Sequence, residues 1–226
     1  MGIKQNIEEL KSRIPEEVKL LVVSKTKPLE ELEEAYIEGM RDFGENKVQE
    51  LIEKSENFHD DVRWHFIGQL QSNKVKYLVD KVYLIHSLAS ISLLNEIEKA
   101  FGKVNKVADT LIQINIGRET SKSGILEENL YEFIEVIEKC SHVFVKGIMV
   151  IIPKGDEESN RSYFKKTKKI FEEIKEKEYK NISMNILSMG MTHDFMTAIE
   201  EGSNLVRIGT GIFGERNYNT GGGKNE

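Results

Sequence analysis

The chain has 226 residues, 39% of them hydrophobic, which suits one domain with a sizeable buried core. A formal net charge of −6 offers no basic face to nucleic acid. The single cysteine, Cys140, excludes a disulfide framework, and no apolar run approaches the ~20 residues of a membrane span or forms a signal-peptide core, so the expected location is the reducing cytoplasm.

Ile3, Ile7, Leu10 and Ile14 recur on one helical face that Pro15 stops. Residues 18–24 centre on the apolar run Leu20-Leu21-Val22-Val23, the pattern of a strand buried on both faces. Pro28 sets the first turn of a helix that reaches its glycine cap at Gly39. Further strands are expected at 41–43, 63–67, 82–86, 109–116, 144–150, 184–187 and 205–208. Amphipathic helices fill nearly every gap, among them 90–101, 127–139 and 192–201. The lysine-rich stretch 165–180 alternates with Glu172, Glu173, Glu176 and Glu178 and carries Ile170, Phe171 and Ile174 at helical spacing, so it reads as a solvated helix with one buried stripe.

Strands alternating with helices demand a parallel sheet with helices outside it. An open doubly wound sheet would place a glycine-rich turn after its first strand. Ser24-Lys25-Thr26-Lys27-Pro28 has no glycine. The expected architecture is therefore α/β: a single (β/α)8 TIM barrel over 1–218, with an extra N-terminal helix and a frayed tail at 219–226.

Barrel sites sit at the C-terminal ends of the strands. There the sequence places Lys25, Asn46, Ser188, Arg207, Gly209 and Thr210. A lysine directly after Leu21-Val22-Val23 starts near the barrel interior, where desolvation favours the free amine that condenses with an aldehyde. Alternatively it reaches the rim and pairs with a carboxylate such as Glu45. Strand position alone does not choose between the two. Ser188-Met189-Gly190-Met191 and Gly209-Thr210-Gly211 follow the seventh and eighth strands, where barrels often bind phosphate; tight turns without a ligand are the alternative. Arg207 either points into the mouth or makes a floor ion pair, for instance with Glu45. The five histidines lack paired metal-ligand spacing, so no metal site is expected, and His65 and His86 read as core or rim residues satisfied by backbone.

Several ordered motifs carry a family resemblance. They are Leu21-Val22-Val23-Ser24-Lys25-Thr26-Lys27-Pro28, Phe43-Gly44-Glu45-Asn46, Trp64-His65-Phe66-Ile67-Gly68, Leu70-Gln71-Ser72-Asn73-Lys74, Ser121-Lys122-Ser123-Gly124, Leu187-Ser188-Met189-Gly190-Met191 and Val206-Arg207-Ile208-Gly209-Thr210. Together they make the sequence resemble the YggS-type pyridoxal phosphate homeostasis family, whose barrel is that of the alanine racemase N-terminal domain. The resemblance implies that pyridoxal 5'-phosphate (PLP) is held by Lys25 as a Schiff base. It implies that Ser188, Gly209 and Thr210 bind the phosphate, that Arg207 faces the pyridine nitrogen and that Asn46 lies near the ring. Departures are Lys47 in place of tyrosine or arginine, Thr192-His193-Asp194 in place of serine and acids, and Gly211 in place of alanine.

The function implied is a non-catalytic carrier of PLP, monomeric, supporting cofactor and amino-acid homeostasis, with apo PLP-dependent enzymes as recipients. An amino-acid racemase is the alternative; it needs a second base and a further domain to supply it, and little sequence follows the expected barrel. A Schiff-base aldolase is a third reading, separated by the absorbance that only bound PLP gives.

Overall fold

The computed structural model describes residues 2–215; the expected tail at 219–226 and the domain end at 218 lie outside the described residues. Eight parallel strands close in chain order into a barrel. They are β1 (Lys19–Val23), β2 (Asp42–Glu45), β3 (Arg63–Phe66), β4 (Leu84–Leu88), β5 (Ala108–Ile114), β6 (Val143–Val150), β7 (Ile182–Ser188) and β8 (Leu205–Ile208). The α-helices are α1 (Ile3–Arg13), α2 (Leu29–Ile37), α3 (Val48–Asn57), α4 (Ile91–Gly102), α5 (Leu130–Ile137), α6 (Glu157–Lys175), α7 (Phe195–Glu200) and α8 (Thr210–Phe213). The extra N-terminal helix α1 packs on α2 and α8, and the Asn6 amide donates to Ile212 O at 2.8 Å.

Element types agree with the sequence pattern, and the differences lie at the ends. The fourth strand begins two residues later than expected, because the Val82 N–H bonds back to Leu78 O in a turn. The fifth stops at Ile114, where Asn115 folds the chain over: its Oδ1 accepts from Glu119 N–H and its Nδ2 donates to Glu119 O and Lys122 O. The gap between β3 and β4 holds a 3-10 helix, Ser72–Tyr77, rather than an α-helix.

Alternation along the strands divides the apolar side chains into two zones. Val22, Phe43, Trp64, Ile85, Ile112 and Ile148 point outward and pack with helical residues such as Leu32, Leu51, Ile97 and Phe133. Leu84, Leu111 and Met149, with Ile151 and Ile186, form a separate small plug inside the barrel. The residues alternating with the outward set therefore line the interior, and among them are Lys25, Asp42, His65, His86, Ser188 and Arg207. An interior normally filled by branched apolar residues here carries a run of polar ones.

The β7–β8 seam has one register pair, Ser188 with Leu205. Side chains brace it. The Ser203 hydroxyl lies 2.7 Å from Met189 O, and Asn204 Oδ1 accepts from Leu187 N–H at 2.7 Å.

Candidate functional site

At the C-terminal rim a cavity of about 200 Å³ opens between the ends of β1, β2 and β8. Its polar lining is Lys25, Lys27, Asn46, Arg207 and Thr210; Val23, Ile67, Ile151, Met191 and Phe213 supply apolar walls, and Gly209 and Gly214 complete it. Five of the six residues singled out from the sequence meet there. The sixth does not. Ser188 is fully buried below the cavity, where its hydroxyl accepts from Arg207 Nη1 at 2.7 Å and lies 3.3 Å from His86 Nδ1.

Lys25 is half-buried and follows β1 directly. The residues on either side of it are pinned from outside the barrel wall. Ser24 Oγ donates to Glu45 Oε1 at 2.6 Å. Lys54 of α3 donates to Ser24 O, Glu45 Oε1 and Glu50 Oε1, each at 2.8 Å. The Thr26 N–H bonds Glu50 Oε1. Thr26 adopts φ +65°, a left-handed conformation costly for a β-branched residue, and the Glu50 contact helps hold it. Burial pushes the Glu45 carboxyl above its ordinary range, against the pull of Lys54. Glu45 thus serves Lys54 and Ser24, and the floor ion pair considered for Arg207 is replaced by bonds to Ser188 and Val150. Sequence reading missed this brace; the i, i+4 spacing of Glu50 and Lys54 was its one visible sign.

Asn46 comes off the end of β2, and its Oδ1 is buried with no protein partner. Gly68 is pressed against it: a Cβ at that position would sit 2.2 Å from Asn46 O. Lys27 closes the mouth, its ammonium 2.9 Å from Glu31 Oε2 and 5.4 Å from the centre of the Phe213 ring.

Arg207 is 4% exposed. Its Nη1 donates to Ser188 O at 2.8 Å and to Ser188 Oγ, and its Nη2 donates to Val150 O at 2.8 Å. Burial lowers its pKa to about 10, so it remains a cation at neutral pH. Gly190, at φ +95°, turns the chain after β7 so that its carbonyl meets Arg207 N–H at 3.0 Å. Thr192, one of the departures, ties the two rim turns together by accepting from Gly211 N–H at 3.3 Å.

Two histidines expected to be satisfied by backbone are satisfied by side chains. His65 Nδ1 lies 2.9 Å from His86 Nε2, and His65 Nε2 lies 3.0 Å from Asp42 Oδ1. No cluster of His, Cys, Asp and Glu suited to a metal occurs among the described residues. Nor is any helix among them long and apolar enough to cross a membrane.

The model of the alanine racemase N-terminal domain matches residues 2–217. A pyridoxal phosphate homeostasis protein of Aquifex aeolicus is 49% identical over 202 residues, 88% of this chain and 88% of that one. The chain belongs to the pyridoxal phosphate homeostasis protein family. Among solved structures the chain is similar to PipY of Synechococcus elongatus, solved without and with PLP. Both structures are 31% identical and cover 94% of this chain and 100% of their own, with TM-scores of 0.88 and 0.86.

Proposed function

We propose that the rim cavity binds PLP and that the protein holds the cofactor reversibly, as a carrier supporting PLP and amino-acid homeostasis. The observation that carries this reading is the meeting of Lys25, Asn46, Arg207 and Thr210 around one cavity in a chain whose relatives are named for PLP homeostasis. The residues fit the group. Lys25 and the buried Arg207 cation line the same cavity, and the unpartnered Asn46 Oδ1 offers a further polar contact. Bound there, PLP would supply an aldehyde for the Lys25 amine to condense with, releasing water. Lys25 would anchor it; Arg207, which can only donate, would sit toward the pyridine nitrogen and keep it unprotonated. Thr210 and the Gly209 backbone take the phosphate. Ser188 is reassigned from phosphate ligand to support of Arg207, because its hydroxyl already bonds Arg207 and His86. A cytoplasmic, monomeric protein delivering cofactor to apo PLP-dependent enzymes is part of the same reading.

Borohydride reduction of the PLP-loaded protein, followed by peptide mass analysis, tests it. A pyridoxyl mass on the Lys25 peptide, and loss of near-visible absorbance in Lys25→Ala, are the expected results. A label on Lys27 or Lys122 instead, or no absorbance in the wild type, overturns it.

A further inference from the structure

Six side chains cross the barrel in unbroken contact from its N-terminal end to the cavity: Arg63, Asp42, His65, His86, Ser188 and Arg207. The links are 2.6 Å (Arg63 Nη2 to Asp42 Oδ2), 3.0 Å, 2.9 Å, 3.3 Å and 2.7 Å. His65, His86, Ser188 and Arg207 are all under 5% exposed.

The proton positions along this chain follow from one charge. Asp42 is doubly bonded by Arg63, and these bonds, with that from His65, hold its carboxyl well below the usual range despite burial. An ionised carboxylate only accepts. His65 therefore carries its proton on Nε2. Burial keeps His65 neutral, opposed by Asp42 and aided by Lys19 and Arg63, so its Nδ1 is an acceptor. His86 must then donate from Nε2. Burial, His65 and Arg207 keep His86 neutral in turn, which leaves its Nδ1 to accept the Ser188 proton. With its proton committed, the Ser188 oxygen presents lone pairs to Arg207, which donates. Every bond between Arg207 and Asp42 points toward Asp42, and with both histidines neutral no other arrangement satisfies all five atoms in between.

We infer that Asp42, His65 and His86 are positioning residues for Arg207, acting through the Ser188 hydroxyl to fix the guanidinium at the cavity. Two carbonyls, of Ser188 and Val150, also hold Arg207, but their polarity is permanent. The hydroxyl is the one contact whose lone-pair orientation depends on where its own proton goes, and Asp42 sets that from the other end of the barrel. Tyr83 closes the side of His65, its ring 5.3 Å away, and the Asp194 charge acts on Arg207, raising its pKa against burial. The consequence for PLP rests on the carrier reading; the proton arrangement does not.

Long-range ¹⁵N–¹H spectra of the cofactor-free protein read the rings and the guanidinium directly. Both histidines should be neutral and protonated at Nε2 from about pH 6 to about pH 8, and Arg207 should give separate, slowly exchanging Nη signals. Asn at position 42 can donate as well as accept, so Asp42→Asn should mix the His65 tautomers and average the Arg207 signals. PLP affinity supplies a second reading. Asp42→Asn and Ser188→Ala should each weaken binding about tenfold, the scale of one bond to a charged group, and the double variant should be no weaker than Ser188→Ala alone. Additive losses would mean that Asp42 acts only on the fold. An Nδ1–H tautomer at either histidine in the wild type breaks the chain outright, whether or not the variants can be purified. If the wild type binds no PLP, the carrier reading fails and the spectra alone decide this inference.

Discussion

Arg207 donates to the hydroxyl of Ser188 at 2.7 Å and has no carboxylate within hydrogen-bond reach among the described residues. A buried guanidinium satisfied by carbonyls and a hydroxyl keeps its charge available to whatever occupies the cavity above it. Pairing with a carboxylate would have spent that charge inside the protein.

Arg207→Lys should therefore cost more than its chemistry suggests. A single ammonium cannot reach Ser188 O, Ser188 Oγ and Val150 O together, so at least one buried acceptor loses its donor, a cost of roughly 1–3 kcal/mol. The substituted lysine sits where burial disfavours the ammonium form. The expected result is a lower urea midpoint and weaker PLP binding that improves as pH is lowered through the lysine's depressed pKa. Wild-type stability and affinity in R207K would show that the guanidinium makes no use of its fork.

Gly68→Ala probes the packing behind Asn46. The added Cβ would sit 2.2 Å from Asn46 O and 2.7 Å from its Cα, both backbone atoms that cannot swing aside. The end of β2 must shift, which displaces Asn46 from the cavity. We expect a loss of roughly 1–3 kcal/mol, the range for overpacking, together with weaker PLP binding. A variant that loses stability yet binds PLP normally would remove Asn46 from the site.

The barrel topology was legible because β/α alternation is a long-range pattern that single-residue errors do not erase, and the rim cluster followed from the strand ends. The internal chain was not. Asp42, His65 and His86 stand on three different strands, and nothing in their spacing says that they meet. Their inward direction was readable from alternation with Phe43, Trp64 and Ile85. Their mutual distances depend on barrel shear, which sequence does not display. The same limit hid the depth of Ser188: its strand was expected to end at 187, and the extra residue puts its hydroxyl below the mouth. Two tyrosines fall just outside the elements that the expected ranges 82–86 and 165–180 gave them. Tyr83 precedes β4 rather than lying within it, and Tyr179 follows α6 rather than riding on it.

Stability should fall on acidification earlier than carboxylates alone would cause. His65 and His86 have folded pKa values lowered by burial, so below the ordinary histidine pKa of about 6.5 the unfolded chain binds protons that the folded one refuses. The unfolded state gains, and stability drops as pH decreases below about 6.5, by up to about 1.4 kcal/mol per pH unit per histidine. Asp42 behaves differently: its folded pKa is depressed, so its contribution is present above about 3.9 and fades only as pH falls below that. Urea midpoints at about pH 7.5, 6.5 and 5.5 should be flat and then fall, and His86→Asn should flatten the fall. An unchanged midpoint at the lowest of these would mean that the histidines titrate normally.

The protein should not racemise amino acids at enzymatic rates. Racemisation with PLP needs a base on each face of the substrate α-carbon, each within hydrogen-bond reach. Lys25 can serve one face. The remaining titratable groups on the cavity wall are Lys27 and Arg207. Lys27 is engaged by Glu31 and Phe213 O, and Arg207, with its pKa at about 10, carries no free base at neutral pH. No tyrosine, histidine, cysteine or carboxylate lines that cavity among the described residues. Tyr36 is spent on Asp61, Tyr131 and Tyr163 ride on α5 and α6, Tyr77 lies in the 3-10 helix, and Tyr218 lies outside the described residues. Incubating the PLP-loaded protein with L-alanine in deuterated water and following α-hydrogen exchange and D-alanine formation tests this. Turnover near about 1 s⁻¹, the low end for ordinary enzymes, would require a second base from outside this cavity wall and would replace the carrier reading with an enzymatic one. Slow exchange at one face, with retention of the L-isomer, is the result expected of Lys25 acting alone.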